Sequence, residues 1–226
     1  MGSSHPFCLM QILRSKVTAL CGGLVMLLTG KALAAEYYVA TTGNDANPGT
    51  IDQPFATLQK GHDVAAAGDT VWIRGGTYRV VNGASTTSGF VMSKSGQSDA
   101  RRIRFWAYAG ELPIFDFSQL RLTASMNNSG FYITGSWLHF KGFEVANVPM
   151  GTRSSNGMWN RGGSNNTFEL LNIYHITGAG LSIANGNGGH LVLNCDAHDN
   201  YDPNSDQGDG QNADGFGVHY LSLIHI

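Results

Sequence analysis

From Glu36 onward, short β-prone runs alternate with clusters of turn residues, the pattern of many brief strands rather than a few long ones. Glu36-Tyr-Tyr-Val-Ala40 opens the series and ends in the turn-rich Thr42-Gly-Asn-Asp-Ala-Asn-Pro-Gly49. Strands are expected again at Thr70–Arg74, Arg102–Ala107, Pro113–Phe117 and Gly130–Ile133, with Gly, Asn and Ser in almost every gap. One stretch breaks this rhythm. Within Pro54–Ala67, the residues Phe55, Leu58, His62 and Ala65 share one helical face, and Gly68-Asp69 stops the run, so the spacing predicts a helix there.

From Trp137 the strands become periodic. Leu138–Val145, Asn166–Ile173 and His190–Cys195 read as one element repeated, with starts 28 and 24 residues apart. A second set lies between them: Gly157-Met-Trp159, Gly180-Leu-Ser-Ile183 and Gly215-Phe-Gly-Val218. Two interleaved strands recurring at this interval describe the coil of a solenoid, whose apolar residues are buried only by stacking on the next coil. The last interval is longer, and the excess is the acidic segment Tyr201–Gln211, placed where insertions emerge as surface loops. Asn147, Asn172, Asn185 and Asn194 fall near strand ends, which fits either a ladder of stacked asparagines or plain turn preference. The helix precedes the repeats and suits a cap over the open end of the stack. The expected class is all-β: a right-handed parallel β-helix over residues 36–220 with an N-terminal capping helix.

The first 35 residues read as a secretory signal. Arg14 and Lys16 precede an apolar run from Val17 to Leu28, and Ala32-Leu-Ala34 is an Ala-x-Ala processing sequence. That apolar run is shorter than the roughly 20 residues that span a bilayer, so export with cleavage after Ala34 or Ala35 is expected. The net charge of −2 and the 13% of charged residues give no basis for binding nucleic acid or a membrane surface. Of three cysteines, Cys8 and Cys21 fall in the signal and Cys195 is left alone, so no internal disulfide is expected. Cys195 reads as a small residue filling an inward position rather than as a nucleophile beside His198.

Composition makes one segment stand out. Only 16 residues are acidic, yet Asp196, Asp199, Asp202, Asp206 and Asp209 fall within 14 positions, and Asp214 follows in Asn212-Ala-Asp-Gly-Phe216. Carboxylates clustered beside glycines are what a hard cation such as Ca²⁺ requires. Asp202-Pro-Asn-Ser-Asp206 has alternating oxygen spacing, but Gln207 stands where a calcium loop wants glycine and no glutamate closes it, so a solvated acidic loop is the plainer reading. His198 and His219 read as loop histidines bonded to turns. Lys141 and Lys94 are the nearest candidates for a base.

The opening Tyr37-Tyr-Val-Ala-Thr-Thr-Gly-Asn-Asp-Ala-Asn-Pro-Gly49, with Gly68-Asp-Thr-Val-Trp-Ile-Arg-Gly-Gly-Thr-Tyr78, resembles the start of secreted parallel β-helix proteins that act on polysaccharides. Ser164-Asn-Asn-Thr-Phe168, Leu193-Asn-Cys-Asp-Ala-His-Asp-Asn-Tyr-Asp202 and Gly210-Gln-Asn-Ala-Asp-Gly-Phe-Gly217 resemble, more specifically, pectate lyases of polysaccharide lyase family 9, over the N-terminal part of such an enzyme. The resemblance implies Ca²⁺-dependent β-elimination of polygalacturonate, an acidic polysaccharide as partner, a secreted monomer, and Asp214 as a calcium ligand. Further aspartates and a base lysine would follow in later coils. Neither motif occurs here, and Leu221-Ser-Leu-Ile-His-Ile226 does not continue the coil, so a truncated β-helix with a foreign tail over 221–226 is expected. Residues 36–226 alone are then expected to yield no elimination product, and neither Lys141 nor Lys94 matches the family's base position. Two other classes stay open: a hydrolase on the same fold, with Asp196, Asp199 and Asp214 to supply acid and base, and a non-catalytic carbohydrate-binding β-helix.

Overall fold

The computed structural model describes residues 34–122, 127–151, 154–186, 188–203 and 212–219. A lead strand β1 (Glu36–Val39) is followed by helix α1 (Leu58–Val64) and then by coils of three strands each. The first coil is β2 (Thr70–Ile73), β3 (Gly76–Arg79) and β4 (Ser88–Met92). The second is β5 (Ile103–Ala107), β6 (Pro113–Asp116) and β7 (Asn127–Ile133). The third is β8 (Leu138–Lys141), β9 (Glu144–Ala146) and β10 (Ser154–Arg161). The fourth is β11 (Thr167–Glu169), β12 (Asn172–Tyr174) and β13 (Ala179–Ala184). The fifth is β14 (Leu191–Leu193), β15 (Asp196–His198) and β16 (Phe216–His219). Equivalent strands pair in parallel, giving one six-stranded sheet, β1-β2-β5-β8-β11-β14, and two five-stranded sheets, β3-β6-β9-β12-β15 and β4-β7-β10-β13-β16. The fold is a three-sided parallel β-helix.

Three sheets replace the two interleaved strand sets expected from the repeat. Each long run read as one strand turns a corner in its middle. Gly142 divides Leu138–Val145, and Leu170, at φ 53°, divides Asn166–Ile173. Asn194 occupies the same corner one coil on, at φ 50°. Asn147, His175 and Asp199 hold a second left-handed corner after β9, β12 and β15. Such residues cost about 1–2 kcal/mol each and persist because stacked coils impose the bend. The asparagines therefore form no ladder: Asn194 stacks in register with Leu170, while Asn172 heads β12 opposite Glu144 and Asp196.

The core is aromatic. Phe105, Phe140 and Phe168 stack up the inner face of the six-stranded sheet, with centroids 5.4 and 5.6 Å apart and planes within 16°. All three are fully buried, each contributing about 1.5–3 kcal/mol. The Ser164-Asn-Asn-Thr-Phe motif is explained here. Asn166 is fully buried; its Oδ1 accepts Leu138 N–H at 2.8 Å, and its Nδ2 donates to Gly135 O and Asn160 Oδ1 at 2.8 and 2.7 Å. It ties two coils and two sheets together.

The helix is shorter than the predicted Pro54–Ala67. The Asp45 carboxylate holds Ala56 N, Thr57 N and Thr57 Oγ1 outside it, and Thr57 Oγ1 then caps Leu58–Val64 by accepting Lys60 N–H. Phe55 bridges to Val39 instead of entering the helix. Leu58, Gly61 and His62 are the buried face, packed on β1, β2 and β4, so the helix does cover the first coil. At the other end Val192, Phe216 and Val218 are 41–46% exposed in the registers where Phe168, Leu181 and Ile183 are buried. No helix among the described residues is long and apolar enough to cross a membrane.

Candidate functional site

Asp214 stands two residues before β16, the last described strand of its sheet. Its backbone is fixed: Asp214 O accepts Gly180 N–H at 2.8 Å, and Gly215 O accepts Leu181 N–H at 3.0 Å. Its carboxylate is half exposed, with Oδ2 3.8 Å from His219 Nε2. Gly217 makes room for this pair, since a Cβ there would lie 2.9 Å from His219 Nε2 and 3.1 Å from Asp214 Oδ2.

The rest of this face follows from strand alternation. Met158, Asn160, Leu181 and Ile183 point into the core, so Trp159, Arg161, Ser182 and Ala184 point away from it. Registers run Tyr132–Trp159–Ser182–Gly217 in one outer column and Arg161–Ala184–His219 in the next. Tyr132 meets Trp159 edge-on at 5.4 Å, and the Arg161 guanidinium lies over the Trp159 ring, 4.9 Å from its centroid. Beside these columns, Gly130, Gly157, Gly180 and Gly215 stack coil on coil. A Cβ on Gly157 would meet Gly180 O at 2.6 Å and Ile173 Cγ2 at 2.7 Å, and one on Gly180 would meet Gly215 O at 2.6 Å. The glycines that marked the second repeat are therefore a steric requirement of this corner.

The other candidates scatter. Asp196 begins β15, in a different sheet from Asp214. Asp199 is held below the usual carboxylate range by its hydrogen bond with His198, whose Nδ1 lies 2.8 Å from Asp199 Oδ2. His198 also meets Asn172 Oδ1 at 3.1 Å and stacks on Tyr174 within 10° of parallel, as a loop histidine bonded to its surroundings. Asp202 is not solvated, as the acidic-loop reading had it. It is fully buried and accepts from Asn212 Nδ2 at 3.0 Å, clasping the base of the insertion. Asp206 and Asp209 lie outside the described residues.

Cys195 packs against the core, its Sγ donating to Phe168 O at 3.3 Å, and burial pushes its thiol up, in keeping with a small residue filling an inward position. Lys141 stands on the six-stranded sheet with Nζ 2.8 Å from Glu169 Oε1. Burial would raise Glu169, but its bonds with Lys141 and His139 outweigh this and hold it low. Lys94 Nζ is bound to Asp63 O beside the capping helix. Neither lysine is on the last coils of the Asp214 sheet. Trp159 and Arg161 were missed by sequence reasoning. The only available signal was the order Met158-Trp159-Asn160-Arg161, whose alternation becomes readable once Asn160 is known to face inward.

Among the described residues no group of three His, Cys, Asp or Glu side chains is arranged to hold a metal ion. Calcium takes about 6–8 oxygens. Asp214, exposed and with a fixed backbone, offers one ligand's share of such a set and no more.

These observations have a counterpart among known proteins. A family model described as Pel9A-like, right-handed β-helix region matches residues 37–223. Pectate lyase PEL9 of Emericella nidulans is 33% identical over 193 residues, which are 81% of this chain and 43% of that protein. Among solved structures, a rhamnogalacturonan lyase matches with a TM-score of 0.66 and 35% identity, over 84% of this chain and 47% of that one. Pectate lyase Pel9A also matches with a TM-score of 0.66, at 31% identity, over 82% and 45%. The chain spans less than half the length of these relatives. The family match runs from the first strand through the last, so the chain belongs to the Pel9A-like family of right-handed β-helix regions.

Proposed function

We propose that the protein is an exported lyase that cleaves a galacturonate-containing polysaccharide by β-elimination, with Asp214 as one ligand of a Ca²⁺ ion. The observation that carries this reading is Asp214 itself. It is a carboxylate on a backbone locked to the preceding coil, beside a glycine that keeps the space before it open, in a chain of a family whose members are named as lyases.

The chemistry asks for these features. In β-elimination a base removes the proton α to the uronate carboxylate, the C4–O bond breaks, and the C4–C5 double bond forms as the departing oxygen gains a proton. Negative charge gathers on the carboxylate, and a bound divalent cation neutralises it. The part supplied by this chain is a carboxylate on a fixed backbone at the edge of a parallel sheet, with the remaining oxygens coming from substrate, water and residues outside those described. The Lys141 and Lys94 amines are engaged elsewhere and are not assigned as the base.

The substrate has two readings, because one structural relative is named for rhamnogalacturonan and others for pectate. We favour pectate on the motif around Asp214. The test gives the complete gene product polygalacturonate or rhamnogalacturonan with calcium and follows unsaturated uronate in the ultraviolet, with and without excess EGTA. Product that persists undiminished in EGTA overturns the calcium role, and no product on either polymer overturns the lyase reading.

Export has its own structural correlate. Ala35 N–H donates to Asp69 Oδ1 at 2.8 Å, and Asp69 is 93% buried (7% exposed). Cleavage after Ala34 would leave the new amine against this carboxylate. Sequencing the exported protein from its N-terminus checks this, with Ala35 first expected and an uncut leader excluding it.

A further inference from the structure

We infer that Arg161, held by Trp159, forms a binding subsite for a uronate carboxylate on the outer face of the β10–β13–β16 sheet, two coils before the Asp214 strand. The inference rests on the lyase reading for its choice of ligand.

Three observations meet here. First, Arg161 is exposed and pairs with no carboxylate among the described residues, whereas Arg74, Arg102 and Lys141 are engaged by Glu111, Asp99 and Glu169. Its contact is the Trp159 ring, 4.9 Å from the guanidinium carbon, and Tyr132 buttresses that ring from its edge. A planar guanidinium stacked on an aromatic loses little freedom on binding and leaves its N–H edge free for a bidentate carboxylate.

Second, the outer columns shrink toward Asp214. Tyr132 and Trp159 give way to Ser182 and Gly217, and Arg161 to Ala184. Ala184 is only 8% exposed between the exposed Arg161 and His219, and Ser182 only 7% exposed between Trp159 and Gly217, as the floor of a recess is. Third, the columns place Arg161 and His219 two strands apart, about 10 Å at the usual strand spacing. A linear uronate polymer lying along the solenoid axis would thus meet a cation at one end of the recess and the Asp214 carboxylate at the other. A carboxylate-bearing sugar fits the first directly and the second through a shared cation. A neutral sugar gains nothing from Arg161.

The test is binding without turnover. Oligogalacturonate and its methyl-esterified form are titrated calorimetrically into the complete gene product in excess EGTA. Arg161→Gln is expected to weaken the acidic oligomer at least tenfold and to leave the ester unchanged, with Arg161→Lys recovering part of the loss. Trp159→Ala, which frees the guanidinium, is expected to weaken the acid form by a smaller factor, and Trp159→Phe to restore it.

Equal losses for acid and ester, no loss in Arg161→Gln, or no binding of any uronate oligomer by the unaltered protein would each overturn the subsite. Failure of the lyase reading looks different: Arg161-dependent binding with no unsaturated product keeps the subsite and removes the activity. Product formed by Arg161→Gln at an unchanged KM does the reverse.

Discussion

Two outer faces of this solenoid carry similar chemistry in opposite states. The six-stranded sheet presents Trp72, Trp106, Tyr108, Arg74, His139, Lys141 and Glu169, and nearly every charge is answered from within. Arg74 meets Glu111 at 2.7 Å, Lys141 and His139 both reach Glu169, and Trp72 and Trp106 pack edge to face. The β16 sheet presents Asp214, His219, Arg161 and Trp159 with wider spacing and small residues between. On the first face the charges hold neighbouring strands together. On the second the Arg161 cation is displayed: it lies on Trp159 and has no carboxylate partner among the described residues, while Asp214 and His219 face each other at 3.8 Å. Residue type alone does not separate the two, because a lysine beside a glutamate and a tryptophan looks as much like a sugar site as an arginine over a tryptophan does. What separates the lysine from the arginine is a carboxylate partner among the described residues: Lys141 has Glu169, and Arg161 has only the Trp159 ring.

The sharpest way to break this contrast is at Asp214. Asp214→Ala in the complete gene product is expected to lower lyase activity by roughly 100-fold or more, the scale of losing about 3 kcal/mol of charge stabilisation, with the thermal midpoint unchanged. Activity within threefold of the unaltered protein would move the displayed face elsewhere. Next in size is the corner that supports that face. Gly157→Ala puts a Cβ 2.6 Å from Gly180 O, and overpacking of this kind costs about 1–3 kcal/mol. A lower midpoint in urea unfolding is expected, and a neutral result would mean the glycine column is dispensable.

Acidification probes buried histidines away from the β16 face, on the capping helix and along the six-stranded sheet. Burial lowers the pKa of His62, His139 and His190. His62 Nε2 accepts Lys94 N–H and His190 Nδ1 accepts Asn166 N–H, so protonation would turn an acceptor into a donor. The unfolded chain binds these protons first. Their stabilisation is therefore complete above the ordinary histidine pKa of about 6.5 and is lost as pH falls below it, at most about 1.4 kcal/mol per pH unit for each histidine. The thermal midpoint is expected to fall between about pH 7 and 5, and a flat profile there would refute this. The smallest effect belongs to the answered face. Lys141→Met should change stability by about 1 kcal/mol or less and leave turnover unaltered, whereas a large loss of activity would make Lys141 the base and overturn the contrast.

Much of the fold was legible because repetition survives in sequence. Leu138, Asn166 and His190 mark successive coils, and Gly157, Gly180 and Gly215 mark a second face. What hid the third sheet was Leu170: a leucine at φ 53° gives no turn signal, so Asn166–Ile173 read as one strand. The helix was overextended because Phe55 has helical spacing but pairs with Val39, a contact that periodicity cannot express. Of the site, Asp214 was visible through its motif and local charge. Arg161 and Trp159 were not, because β10 inverts the usual pattern by turning Asn160 inward and a tryptophan outward. Asp202 misled in the other direction, since an aspartate in an acidic run reads as solvated until Asn212 is seen to hold it in the interior.

That clasp has a consequence for how such a molecule can diversify. Asp202 and Asn212 tie the two ends of the insertion between β15 and β16, so the chain enters and leaves the coil at fixed points. Once loop ends are fixed, doubling the length between them costs only about 0.6 kcal/mol. The strand register on either side is indifferent to what is spelled between them. The segment between those points can then be lengthened, shortened or rewritten without retuning the core, and relatives that act on different polymers could diverge there first while their coils stay superimposable.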